Sequence, residues 1–413
     1  MVGGGAAGLM AAGAAAQCGA EVVLLEKMKT PARKIRITGK GRCNLSNTAE
    51  LSEFLEHFGK SGRFLRQAFG QFFSQELVAF LESRGLTVGT ERGGRIFPEN
   101  GGAPAVARLL LDWVAGVGVQ VQTEAAVTGL LIREKAAVGV VCNGREIQAE
   151  RVILATGGLS YPRTGSTGDG YGLAQAAGHS LVPTRPALVP LETNPDAVRD
   201  LAGLSLLNVN ARLFVDGKKR RQQFGELGFT TTGVGGPIIL TLSSLVVDAL
   251  RAQRRVRISL DLKPALDDKK LDARLLRDLE QRTREPMRSV LRGLLPRELV
   301  PVCLRNAGID AEQEAGHLTA AARKKIRLWL KDFSFEITGF RSYDEAIITA
   351  GGVQTSEIDP HTMESRITSG LYLVGELLDV QADTGGYNLQ AAFSTGWVAG
   401  KAAAAELPNP AEL

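Results

Sequence analysis

The first residues able to do chemistry are three glycines at fixed spacing, Gly3-x-Gly5-x-x-Gly8. Gly3 permits a tight turn, Gly5 lets the main chain approach a pyrophosphate, and Gly8 lets a helix pack closely on a strand. The start of that helix attracts the anion. An Ala-rich helical stretch runs to about Gln17, followed by a strand-type run, Val22 to Leu25, that ends in Glu26, 18 residues after Gly8. An acid at that strand end accepts from ribose hydroxyls, which predicts a nucleotide with a free 2′-hydroxyl, NAD or FAD rather than NADP. An Ala/Gly-rich packing helix would explain the glycines but not the acid.

Two later stretches repeat the strand-to-glycine pattern. Val152 to Ala155 reads as a buried strand ending in Thr156-Gly157-Gly158, and a Gly-rich loop, 165 to 172, leads into a helix. Leu371 to Val374 reads as a strand ending in Gly375-Glu376. The loop Asp383-Thr384-Gly385-Gly386-Tyr387-Asn388 then feeds a small-residue helix, 389 to 405. Such turns at helix starts are natural anion sites. Between the first and second of these regions lies KIRITGKGRCNLSN, residues 34 to 47, too polar for a core. Its Lys34, Lys40 and Arg42 suit an anion, and Thr38, Gly39 and Gly41 offer backbone N–H groups. A basic surface loop is the plainer alternative. Cys43 reads either as a proton donor or as a small buried packing residue.

These segments need a scaffold. With 413 residues, 44% of them hydrophobic, the chain can build two or three cored domains. From Pro186 to Asp261, β-type runs at 209–215, 238–242 and 256–260 read as a small barrel or sheet. Residues 263 to 331 read as helical, with Leu271, Leu275, Leu279, Met287, Val290, Leu291 and Leu294 near helical spacing. Strand character returns over 335–348. In GELGFTTTGVGGP, residues 225 to 237, Glu226, Thr230, Thr232 and the glycine backbone suit either a substrate cleft at a domain boundary or only a strand and turn.

The net charge is +5, but residues 211 to 345 hold 26 Lys/Arg against 18 Asp/Glu, a net of 26 − 18 = +8. That segment suits a polyanionic partner or, more plainly, a solvated face of basic helices. Cys18, Cys43, Cys142 and Cys303 are scattered without metal-site spacing, which predicts no metal and fits a reducing cytoplasm. The apolar start lacks a basic region before it, and no other run reaches about 18 apolar residues, so no membrane segment is expected. Only Met1 and Val2 precede Gly3, so most of the expected first strand is missing. Weaker folding or weaker cofactor binding is the expectation.

The order of these segments carries a resemblance. KIRITGKGRCNLSN, GRIFPEN, ATGGLSYPRTGSTGDGYGLA, GELGFTTTGVGGPIIL, TAGGV and GELLDVQADTGGYNLQAAFSTG resemble the signature segments of the HI0933-like flavoproteins, also called BaiN-like or aminoacetone-oxidase-like. These are FAD proteins of the glutathione-reductase type. The resemblance implies an α/β fold with a discontinuous Rossmann-like, three-layer ββα FAD-binding domain (1–185 and 346–413). It further implies a β-barrel-like insert (186–262 and 332–345) and a helical insert (263–331).

It also implies FAD contacts at Gly3, Gly5, Ala6, Ala7, Gly8, Glu26, Lys27, Lys34, Thr38, Gly39, Gly41, Arg42, Cys43 and Asn44. Further contacts are implied at Val127, Thr156, Gly157, Gly158, Gly375, Glu376, Asp383, Gly386, Tyr387, Asn388, Leu389 and Gln390. Members are linked to reduction of unsaturated steroid-type acids and to dihydrouridine formation in ribosomal RNA, both C=C reductions. The expected activity is an FAD-dependent reductase with NAD(P)H as transient donor and Tyr387, Tyr161 or Cys43 as acid. The expected partner is a small molecule or ribosomal RNA, with RNA contact through the basic insert. An amine oxidase, a non-catalytic flavin-containing RNA-binding protein and a plain NAD dehydrogenase are the alternatives. No second G-x-G-x-x-G is present, so a separate NAD(P)H domain is not expected.

Overall fold

The computed structural model describes residues 1–194 and 198–405. They divide into two compact units, Met1–Ala187 with the chain from Tyr343 onward, and Leu188–Ser342.

The first unit is built on a parallel sheet. Gln120–Gln122 pairs with Val23–Leu25, Val2 bridges Leu25 to Leu154, and Val152–Leu154 pairs with Leu371–Leu373. Val2 N donates to Ile153 O at 2.9 Å and Val2 O accepts from Ala155 N at 2.8 Å. Met1 O accepts from Leu25 N at 2.9 Å and Gly3 N donates to Leu25 O at 2.8 Å, so Met1 to Gly3 hold the central place between the two strands. Val152–Leu154 and Leu371–Leu373 are buried throughout, as continuous apolar runs covered on both faces must be. An antiparallel meander, Val127–Arg133, Ala136–Cys142 and Arg145–Gln148, adds Ala137, Val140 and Cys142 to the core of that sheet.

Two helices, Ala6–Gln17 and Tyr387–Ala405, pack on each other through small residues. A Cβ on Gly396 would lie 2.3 Å from Ala7 O, and one on Gly400 2.2 Å from Ala11 O. Their backbones therefore touch, which only glycine allows. The strands, the meander and these helices make the Rossmann-like domain that the resemblance implies.

The second unit contains a closed six-stranded barrel. In spatial order its strands are Leu191–Thr193, Gly233–Gly235, Lys218–Phe229, Ser205–Val215, Val256–Asp261 and Phe333–Phe340. Val209, Ala211, Leu213 and Val215 point inward, and Asn210, Arg212 and Phe214 alternate with them outward. The run 238–242, expected as strand, lies in a helix, Pro237–Arg251. Pro237 opens that helix, and its buried Ile238, Ile239, Leu242 and Val246 recur at helical spacing. Short apolar runs do not distinguish the two periods. Residues 225–237 form the strand, turn and helix start of this barrel, with Thr230 Oγ1 accepting from Gly233 N at 3.0 Å.

Four helices follow: Asp268–Gln281, Met287–Leu291, Leu299–Ala307 and Ala320–Lys331. Two start at capping side chains, Asp267 accepting from Lys270 N at 2.8 Å and Thr319 from Ala322 N at 3.1 Å. Their Leu271, Leu275, Val290 and Leu330 share one apolar cluster with Leu213, Ile258 and Leu260 of the barrel. Helices and barrel thus have a common core. Among the described residues no helix is long and apolar enough to cross a membrane, and no group of His, Cys, Asp and Glu could hold a metal ion.

Candidate functional site

The three glycine-rich turns meet at the start of the first helix. Gly3 and Gly8 are in such close approach that a Cβ on Gly8 would stand 1.9 Å from Gly3 O and 3.2 Å from Ala155 Cβ. Thr156, Gly157 and Gly158 continue directly from Ala155. A Cβ on Gly375 would stand 2.9 Å from Ala7 Cβ, so Gly375-Glu376 borders the same helix end. The helix has no capping side chain and no acid in its first turn, and the space over Gly5 is open. An uncapped helix start with an open glycine above it fits a pyrophosphate. Ala6 and Ala7 present the first-turn backbone there.

Glu26 is held ready beside it. Its Oε2 accepts from Gly4 N at 2.8 Å and its Oε1 from Met28 N at 2.8 Å. Each carboxylate oxygen retains a second lone pair, so these bonds fix the side chain and leave room for ribose hydroxyls. Lys27 instead reaches Asp169 and Thr167. Burial raises the carboxyl of Asp169, but hydrogen bonds from Lys27 and Thr167 outweigh it and hold the group below its ordinary range.

Lys34 is the basic residue of segment 34–47 that turns into the site. Its Nζ lies 2.6 Å from Glu376 Oε2 and 2.5 Å from Ser160 Oγ. Glu376 Oε1 accepts from Ser160 Oγ at 2.7 Å and from Thr349 N at 2.7 Å. Thr349 Oγ1 accepts from Leu159 N at 2.7 Å. Glu376 is therefore a hub joining four segments far apart in sequence. Ser160 and Thr349 were missed as site residues. Their only signal was membership of the ATGGLSYPRTG and TAGGV stretches. Thr156 Oγ1 and Tyr171 Oη are buried without a hydrogen-bond partner in this region.

A second knot ties segment 34–47 to the loop at 383–388. A Cβ on Gly386 would stand 2.2 Å from Ser46 O. Asn44, with its amide oriented so that both ends pair, donates to Ser46 O at 3.1 Å and accepts from Gly386 N at 3.0 Å. Asn47 donates to Gly385 O at 3.1 Å. Asn388 closes its own loop, donating to Ala382 O at 3.0 Å and accepting from Ala382 N at 2.8 Å. Thr38 donates to Ile35 O at 2.7 Å, and Gly39, Lys40 and Gly41 follow in the left-handed region.

The other residues of the expected site have the following surroundings. Arg42 turns its charge to Glu91 and lies 4.4 Å over the Phe97 ring, because a carboxylate and an aromatic face satisfy it there. Cys43 is fully buried, and burial pushes its thiol up to about 11, the character of a packing residue. Gln390 is fully buried, its Nε2 3.0 Å from Ser394 Oγ. Leu389 packs on the core around Leu9 and Met10. Val127 starts the meander, opposite Cys142. Tyr387 is buried against Phe54 and stacked 3.9 Å from His57, and burial pushes its hydroxyl up to about 12. Asp383 lies 3.5 Å from His57 Nδ1. Tyr161 is half-buried in the left-handed region, its pKa raised by burial and then by Glu345.

Known proteins are similar to this chain over nearly its whole length. The chain is 34% identical to a 3-dehydro-bile acid delta(4,6)-reductase of Clostridium scindens over 98% of both chains. It is 28% identical to a ribosomal RNA dihydrouridine synthase of Escherichia coli, over 96% of this chain and 95% of that one. Among solved structures, an open flavocytochrome c3 fumarate reductase shares the fold with a TM-score of 0.53 at 18% identity, over 98% of this chain and 77% of that one. A 3-ketosteroid-delta4-(5alpha)-dehydrogenase from Rhodococcus jostii does so with a TM-score of 0.51 at 16% identity, over 98% and 95%. The model of the HI0933-like protein Rossmann domain matches residues 1–402, and the chain belongs to this family of FAD-binding oxidoreductases.

Proposed function

We propose that this protein is an FAD-dependent reductase of an electron-poor C=C bond, with NAD(P)H as its donor. The observation that carries the reading is the convergence of Gly3–Gly8, Ala155–Gly158 and Gly375-Glu376 on one open helix start, beside the fixed carboxylate of Glu26. The two curated relatives support the choice of reaction, since their names denote reduction of a bile acid and formation of dihydrouridine in ribosomal RNA. The substrate is then either an unsaturated acid or a uridine of ribosomal RNA.

The amides of Gly5 to Gly8 would hold the pyrophosphate and Glu26 the ribose. FAD, when bound, supplies a hydride for one carbon of the double bond. The chain must give a proton to the other carbon. Cys43 and Tyr387 are buried, and Tyr161 is the most accessible of the three expected acids. As a tyrosine hydroxyl it is protonated at neutral pH, and burial and then Glu345 raise its pKa further. Lys34 is fixed at the site by Glu376 and Ser160.

The test is an anaerobic titration of the purified protein with NADPH and then NADH, following the visible flavin absorption. Bleaching that reverses on adding an unsaturated acid or uridine-containing ribosomal RNA is the expected result. A band that no nicotinamide bleaches, with peroxide formed from an amine, overturns the reading in favour of an oxidase.

A further inference from the structure

The charge of the second unit is concentrated at one end of the barrel. Between Arg212 and Arg221 five basic residues accompany one acid, Asp216, and between Arg251 and Arg257 four accompany none. The fold brings these stretches together. Val215 pairs with Lys218 on one side and Val256 on the other, and Asp216 N donates to Arg255 O at 2.9 Å. Asp216 is engaged by Arg254 at 2.8 Å, and Asp332 lies 3.5 Å from Arg257 and 3.7 Å from Arg212. Lys218, Lys219, Arg220 and Arg255 are exposed.

The same strands carry aromatic rings on their outer face. Phe214 stands between Lys219 and Arg257, with the Arg257 guanidinium 4.3 Å from its ring centre. Phe224, opposite Asn210, is 51% exposed. The barrel core has no place for this ring, because Phe224 is on the outward register. A half-buried ring flanked by cations, Phe214, and an exposed ring further along the same outward face, Phe224 beside Asn210 and Glu226, match the needs of single-stranded nucleic acid. Bases stack on the rings while the cations follow the phosphates.

We infer that the outer face of strands Ser205–Val215, Lys218–Phe229 and Val256–Asp261 binds single-stranded RNA. The choice of RNA over DNA rests on the function proposed above; the choice of a single-stranded polyanion rests on this face alone. If Lys218, Lys219, Arg220 and Arg255 each meet one phosphate, a slope of about −0.7 per contact makes a fourfold rise in salt weaken binding about 50-fold.

The test uses the holoprotein with a labelled uridine-rich single strand followed by anisotropy, the same sequence as DNA, and anionic phosphatidylglycerol vesicles. RNA is expected to bind more tightly than DNA. A double variant, Lys219→Glu with Arg220→Glu, is expected to weaken it at least tenfold. Phe224→Ala should weaken it about tenfold with the salt dependence unchanged, because stacking rather than charge is lost. Absence of RNA binding at low salt, affinity unchanged in both variants, equal binding of DNA, or capture by vesicles but not by RNA overturns the inference. Flavin bleaching is measured on the same samples. Bleaching without RNA binding removes this inference and leaves the reductase, whereas RNA binding to a flavin that no donor reduces does the reverse.

Discussion

The two units meet different physical demands. In the nucleotide-binding unit the decisive contacts are between backbones: Gly8 on Gly3, Gly386 on Ser46, Gly396 on Ala7. The barrel unit has such a contact too, a Cβ on Gly233 standing 2.0 Å from Leu191 O, but most of its packing is between apolar side chains gathered in one cluster from strands and helices. A backbone contact at 1.9 Å from a hypothetical Cβ has no tolerance, whereas a side-chain core yields by degrees. The first unit should therefore fail abruptly on small substitutions and the second gradually.

Gly8→Ala should have the largest effect. The added carbon must displace Gly3, so the purified variant should be colourless, and added FAD should not restore the yellow band. A yellow Gly8→Ala protein would break the comparison. Ile258→Ala, at a fully buried barrel position, should cost about 2–5 kcal/mol. The loss would appear in thermal melts followed by circular dichroism, while the protein still purifies yellow. Loss of flavin from this variant would mean that the units do not fail independently.

Glu376→Gln keeps the shape of the hub but leaves Lys34 without its countercharge. A loss of about 1–3 kcal/mol is expected, with a lower flavin content after dialysis; an unchanged melt and full flavin would remove the hub from the argument.

A smaller effect should follow pH. His179 is buried between Glu357 Oε2 at 3.1 Å and Ser365 Oγ at 2.8 Å, and burial lowers its pKa although Glu357 pulls the other way. The unfolded chain then binds a proton that the folded one resists. Stability should be at its full value above the ordinary histidine pKa of about 6.5 and fall as pH drops below it. Melts of the native protein and of His179→Gln across that range should differ in slope, the native one being steeper. Smallest of all, Phe224→Ala should change stability by no more than about 0.5 kcal/mol, as an exposed ring should. A larger loss would mean that the ring packs rather than awaits a ligand.

The sequence was most informative where a glycine or an acid stands at a fixed distance from a periodic run. Gly3, Gly5, Gly8 and Glu26 could be placed from spacing alone, because a helix start and a strand end are local structures. It was misleading at 238–242, where four apolar residues and Thr241 carry no period and only Pro237 hinted at a helix. It was incomplete at Arg42, whose partners Glu91 and Phe97 lie far along the chain.

Local chemistry and order along the chain thus determined the nucleotide motif, the barrel strands at 209–215 and 256–260, and the helices beyond 263. Tertiary structure alone decided which polar groups meet. Ser160, Thr349 and Glu376 are separated by up to 216 positions, and no local pattern encodes that they share hydrogen bonds. It also decided that Cys43 belongs to a core and that the hairpin cations gather with Arg254 and Arg255. Burial and long-range pairing are properties of the folded chain, set by how strands register and helices pack.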